Sequence, residues 1–199
     1  MATTVPLPCD GDLVHLAPLP RLYPVLIQRS GRTYNPVAVK RIKPEPGQES
    51  VWDYPRPPRL ERTSRRIRVV LGGVTVVDTD AGWRVLETSH PPVYYLPREA
   101  FTHCQISGSA RTSFCEFKGH ATYATLEARG RVEPDAAWSY PSPSPGFEPL
   151  QGHLAVYPAR MDACLVDGER VNAQAGDFYG GWITSEIVGP FKGGSGTWG

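Results

Sequence analysis

The most chemically dense stretch of the chain is TSFCEFKGH, residues 112–120. As one extended strand with a period of two, it puts Phe114, Glu116, Lys118 and His120 on one face and Ser113, Cys115, Phe117 and Gly119 on the other. An acid, an amine and an imidazole on a shared face are the ingredients of acid–base catalysis. Glu116 would be the general base or acid and Lys118 or His120 its electrostatic partner, provided the face lines a pocket. On a solvated surface the same Glu116 and Lys118 are an ordinary salt-linked pair. Cys115, beside Phe117, reads as a small buried hydrophobe rather than a nucleophile. Zinc would need paired ligands such as C-x-x-C; here the cysteines stand alone, although His103-Cys104, Cys115, His120, His153 and Cys164 could converge in space. No metal and no other cofactor is expected.

Rings are the second chemical theme. SHPPVYYLP (89–97), DAAWSYPSPSP (135–145), HLAVYP (153–158) and FYGGWIT (178–184) each join aromatic side chains to a proline or glycine near a strand end. Rigid rims of this kind hold planar or cationic ligands. Tyr94 or Tyr95 (adjacent residues of a strand, so only one faces the core), Trp138, Tyr140, Tyr157, Tyr179 and Trp182 are the candidate walls, with Glu116, Lys118 and His153 for polar contacts. The glycine-rich end, GPFKGGSGTWG, is not a phosphate loop of the G-x-x-x-x-G-K-[ST] kind, because its lysine precedes the glycines. Gly180-Gly181 instead opens a strand around Tyr179–Thr184, where another backbone or a ligand can come close, with a tail carrying Lys192 and Trp198 over the body. Asp78-Thr79-Asp80 after Gly72-Gly73 is a weak match to a magnesium site, since those glycines better serve a hairpin turn.

The elements that must position these groups are short strands. The 21 prolines among 199 residues argue against long helices. RIRVVLGGVTVVDT, HATYATLEARGRVEPDAAW and MDACLVDGERVNAQ each read as a β-hairpin, turning at Gly72-Gly73, Arg129-Gly130 and Asp167-Gly168. Further strands are expected at 83–88, 92–97, 112–118 and 153–158, with helical turns only at PREAF, SPSPGFEPLQ and TSEIV. The expected class is all-β and mostly antiparallel: a folded-over sheet, sandwich or partly open barrel. Residues 1–48 are expected to form an N-terminal extension and linker packing on the body, and 49–199 the β domain. Within the linker, Trp52 and Tyr54 are the expected anchors.

Charge is uneven beneath a net +1, with residues 1–68 holding twelve basic against six acidic side chains. Six arginines lie between Arg56 and Arg68, before the first expected strand of the body. They suit either a solvated edge or an interaction surface for phosphates or an acidic partner. No aromatic residue interleaves them, so nucleic acid is not the expected partner. There is no run of about 18 apolar residues and no basic start followed by an apolar stretch, so neither a membrane span nor a signal peptide is expected. The widely spaced cysteines are expected to be reduced and the protein cytoplasmic, as a monomer or homodimer.

The blocks VWDYPRPPR, RVLETSHPPVYYLP, TSFCEFKG, AAWSYPSPSP, HLAVYPARMDACLVDGERV and GDFYGGWITSEIVGPFKGGSGTWG, from about Glu49 to Gly199, closely resemble a bacterial and fungal family. It is the domain of unknown function 427, which also carries the label of a nucleotidyltransferase domain. The resemblance implies a compact, mostly β domain with no known required metal, and it supplies no catalytic residues. The leading expectation is a β domain that binds a small molecule in an aromatic-lined pocket near one end of its sheet. The alternatives are an enzyme built on Glu116 and Lys118, and an interaction module using the arginine-rich segment 56–68.

Overall fold

A computed structural model of the chain describes residues 40–176 and 178–193. Cys9, Trp198 and nearly all of the expected N-terminal extension lie outside the described residues. The strands in chain order are β1 (Glu49–Ser50), β2 (Arg59–Thr63), β3 (Ile67–Leu71), β4 (Val74–Thr79), β5 (Gly82–Leu86), β6 (Val93–Pro97) and β7 (Gln105–Cys115). They continue with β8 (Gly119–Ala128), β9 (Arg131–Ser139), β10 (His153–Val156), β11 (Ala163–Val166), β12 (Glu169–Arg170), β13 (Asn172–Ala173), β14 (Trp182–Ile183) and β15 (Ile187–Val188). Helix among the described residues is confined to single 3-10 turns at Arg98–Ala100, Glu148–Leu150 and Pro158–Arg160. No helix there is long and apolar enough to cross a membrane.

The fold is mostly β and antiparallel. One sheet has seven strands in the order β2-β5-β6-β10-β9-β8-β7, and a second has four in the order β12-β11-β3-β4. The parallel pair β1–β15 and the antiparallel pair β13–β14 complete the pattern. The three hairpins expected from Gly72-Gly73, Arg129-Gly130 and Asp167-Gly168 are present, and both residues of each turn have positive φ. That is the requirement of the turn that matches the right-handed twist of two strands.

Alternation of side chains gives the seven-stranded sheet two apolar faces. Tyr94 and Leu96 of β6, Leu126 of β8, Ala137 of β9 and Val156 of β10 join Ile67, Val69, Val77 and Val166 of the smaller sheet in the main core. Tyr95, Tyr123, Trp138 and Ala155, from the same strands, face the other way into a second cluster with Tyr140, Phe147, Leu150 and Tyr157. Each fully buried large side chain contributes roughly 1.5–3 kcal/mol, so both faces stabilise the sheet.

Three expectations need correction. The arginine-rich segment does not precede the body: Arg59–Thr63 is itself β2, at the edge of the large sheet, where charged side chains are tolerated and discourage further pairing. TSEIV is not a helical turn; the Ile187 N–H donates to the Thr184 carbonyl at 3.1 Å and the chain then runs as β15 beside β1. TSFCEFKGH is not one strand. β7 ends at Cys115, residues 116–118 turn, and β8 starts at Gly119, with Cys115 paired to Gly119 and Phe114 to His120. Tyr54 does anchor the linker: it is buried, and its hydroxyl donates to the Glu49 carboxylate at 2.7 Å.

Candidate functional site

The second face of the large sheet carries a cavity of about 410 Å³. Its floor follows from strand register. Trp138 lies between its cross-strand partners Tyr123 on β8 and Ala155 on β10. Tyr95 projects from β6 on the same side, and its hydroxyl accepts a hydrogen bond from Trp138 Nε1 at 3.1 Å. The Trp138 and Tyr157 ring centroids are 4.5 Å apart, and Tyr95 meets Trp138 edge-on at 6.2 Å. Tyr140, just past the end of β9, adds a further wall. Burial pushes the phenols of Tyr95, Tyr140 and Tyr157 well above their ordinary range, so all three are neutral hydroxyls at any physiological pH.

Three segments cover this floor. The β7–β8 turn brings in Cys115, Glu116, Phe117 and Lys118. Arg56 bridges the carboxylates of Glu87, at 2.8 Å, and Glu116 at the mouth. The segment after β13 supplies Gln174, Tyr179 and Gly180, with Lys192 beyond β15. Gln174 ties this last segment together, accepting from the Gly181 N–H at 3.2 Å and donating to the Lys192 carbonyl at 2.8 Å. A Cβ built at Gly180 would overlap the Trp138 ring, so this loop can lie on the indole only without a side chain there. The glycine pair is expected to admit another backbone or a ligand; what comes close among the described residues is side chains, Trp138 at Gly180 and Pro91 and Gln174 at Gly181.

His90 closes one side. Its Nδ1 lies 3.0 Å from the Thr88 carbonyl, and its ring packs edge-on against Tyr179 with centroids 4.9 Å apart. Burial lowers the affinity of His90 for a proton below the ordinary histidine value; Lys192 and Arg56 act in the same sense, against Glu87 and the Thr88 carbonyl. The neutral ring therefore carries its hydrogen on Nδ1, the atom facing the carbonyl, and keeps a lone pair on Nε2.

Of the side chains singled out from the sequence, Tyr95, Trp138, Tyr140, Tyr157, Tyr179, Glu116 and Lys118 line this cavity. Tyr94, Trp182, His153 and His120 are not among its lining residues. Tyr94 points to the main core, where it packs on the fully buried Trp182 with centroids 5.1 Å apart. His153 opens β10, its Nδ1 3.1 Å from the Gln151 carbonyl. His120, cross-strand from Phe114, packs against that ring on an exposed face because the hairpin separates it from Lys118. Glu116 is at the rim with 61% of its side chain exposed, whereas Lys118 is only 8% exposed. Arg56, Glu87, His90 and Gln174 were missed as site residues. The cue for His90 was its place in SHPP, a sharp lead-in to a ring-bearing strand.

Other candidate chemistry is engaged elsewhere. Asp78, the first acid of the weak magnesium match, accepts from Arg66 at 2.5 Å and from Arg68 at 3.4 Å on the neighbouring strand. Among the described residues no cluster of three or more His, Cys, Asp or Glu side chains could hold a metal ion, and Cys104, Cys115 and Cys164 are free thiols. A family model described as Domain of unknown function (DUF427) matches residues 59–167, more than half of the chain. The chain belongs to this family. The DUF427 match takes in the floor of the cavity and the turn bearing Lys118, while Arg56 and the wall from Gln174 to Lys192 lie outside it. Among curated proteins the chain has no match.

Proposed function

We propose that this DUF427 domain binds a small molecule in the aromatic cavity on the second face of its large sheet. The observation that carries the reading is a cavity of about 410 Å³ at the place where five of the seven rings chosen from the sequence converge. Its size falls within the range of small-ligand sites, and its lining mixes a ring-rich floor with a few polar groups, as such sites do. The rings are held by register, by the Trp138–Tyr95 hydrogen bond and by the glycine-permitted loop, so little ordering would be needed on binding. An acid–base reading of the same cavity has less support, because Glu116 is largely exposed and tied to Arg56.

The test is a thermal-shift screen of small metabolites on the full chain, paired with alkylation of Cys115, which lines the cavity. A ligand present at about a hundred times its Kd is expected to raise Tm by about 5–10 °C. It should also slow alkylation of Cys115 while leaving Cys104 unprotected. If no compound stabilises the fold or shields Cys115, the reading fails.

A further inference from the structure

Lys118 is the group that the binding reading leaves unexplained. It is 8% exposed, and its ammonium lies 6.0 Å from the centroids of Tyr140 and Phe147. No carboxylate among the described residues pairs with it, and no hydrogen bond reaches it. Ring faces at that distance are at the outer limit of a cation–π contact, too weak to replace the water that burial removes from an ammonium. Among the described residues no buried side-chain nitrogen or oxygen is sealed off without a partner, so the ammonium keeps some access to solvent, and Lys118 lines the cavity. The two carboxylates at the cavity, Glu87 and Glu116, are both held by Arg56 at the mouth.

We infer that the cavity takes a small planar monoanion, a carboxylate on an aromatic or conjugated ring, with the carboxylate on Lys118 and the ring among Tyr95, Trp138 and Tyr157. The inference rests on the binding reading above and adds the charge and shape of the ligand. Planarity follows from the walls, since flat side chains offer stacking and edge-on contacts to a flat partner. Single charge follows from the balance of the lining. Arg56 is already engaged by Glu87 and Glu116, so the single ammonium of Lys118 is what a ligand charge would meet, and one ammonium matches one carboxylate. Phosphates are usually held by successive backbone N–H groups or by several cations, and a polyanion here would also meet the two carboxylates at the mouth.

The test uses 2-naphthoate, its neutral amide 2-naphthamide, the cation 2-naphthylmethylammonium and magnesium–ATP, each titrated calorimetrically into the full chain. The naphthoate is expected to bind at least about tenfold more tightly than the amide, the size of a charge-assisted hydrogen bond. In Lys118→Met, which keeps the apolar stem, that preference should vanish while amide affinity stays. An amide or cation that binds as well as the acid leaves the cavity a binding site but overturns the anion assignment. ATP binding more tightly than naphthoate overturns the monoanion. If none of the ring compounds binds, the binding reading falls and this inference with it. The wild-type panel alone decides the charge preference, so the result stands even where Lys118→Met fails to fold.

Discussion

At His90, burial and neighbouring charge act on one imidazole. The groups facing it are Glu87 and the Thr88 carbonyl after β5, Arg56 before β2, and Lys192 and Tyr179 from the C-terminal segment. Its folded-state proton affinity lies below the ordinary value of 6.5, with burial the largest cause. As pH falls through that value the unfolded chain takes up a proton that the folded chain refuses, so this contribution to stability is present above it and declines below it. His90→Gln should therefore lose less stability than wild type when urea midpoints are followed from about pH 7.5 to 5. Parallel profiles for the two proteins would rule the mechanism out. At this scale the sequence showed the strict alternation of Tyr94 and Tyr95, because adjacent residues of a strand must diverge. It could not show that His90, which precedes a strand rather than lying in one, would be folded against Tyr179 from the far end of the chain.

Strands and turns divide by how local their causes are. The turns at Gly72-Gly73, Arg129-Gly130 and Asp167-Gly168 were legible because positive φ at two successive positions is a demand on two residues. The β7–β8 turn obeys a similar rule, with Gly119 at φ 93 closing a three-residue loop, but its cue, EFKG, sat inside a run that also alternates like a strand. The charged strand β2 and the pairing of β1 with β15 depend on partners far along the chain, and local sequence does not encode them. The β3–β4 turn allows a test that separates backbone strain from packing. Gly72 and Gly73 have similar φ, 60 and 73, but a Cβ at Gly72 would overlap the Ala128 carbonyl at the end of β8, while one at Gly73 meets open space. Gly73→Ala should cost about 1–2 kcal/mol from the left-handed backbone alone. Gly72→Ala should cost at least about twice that, since β8 must also shift. Equal losses in chemical denaturation would show that the turn does not bear on β8.

Across the whole molecule, the arginine-rich segment is bound up in pairing rather than displayed. Arg65 joins Asp167 at 2.6 Å and Glu186, Arg66 and Arg68 share Asp78, Arg59 reaches Glu61 at 3.3 Å, and Arg56 spans Glu87 and Glu116. A composition count sees six positive charges between 56 and 68. It cannot see that most of their partners arrive from distant turns and loops, and the same long-range closure put the cavity's covering loops beyond reach of the sequence. Exposed pairs of this kind contribute little to stability, with typical values of about 0–1 kcal/mol each. They do cancel much of the local field that would draw a polyanion. Binding to single-stranded RNA should accordingly owe nothing to this segment. Replacing Arg59, Arg62 and Arg68 together by glutamine is expected to leave the salt dependence of any such binding unchanged. If the three arginines each contacted a phosphate, the triple variant would flatten the plot of log K against log salt by about two units, because each lost contact removes about 0.7 from a single-strand slope. A change of that size would restore the segment as an interaction surface. An unchanged slope would remove the segment as a surface for single-stranded RNA.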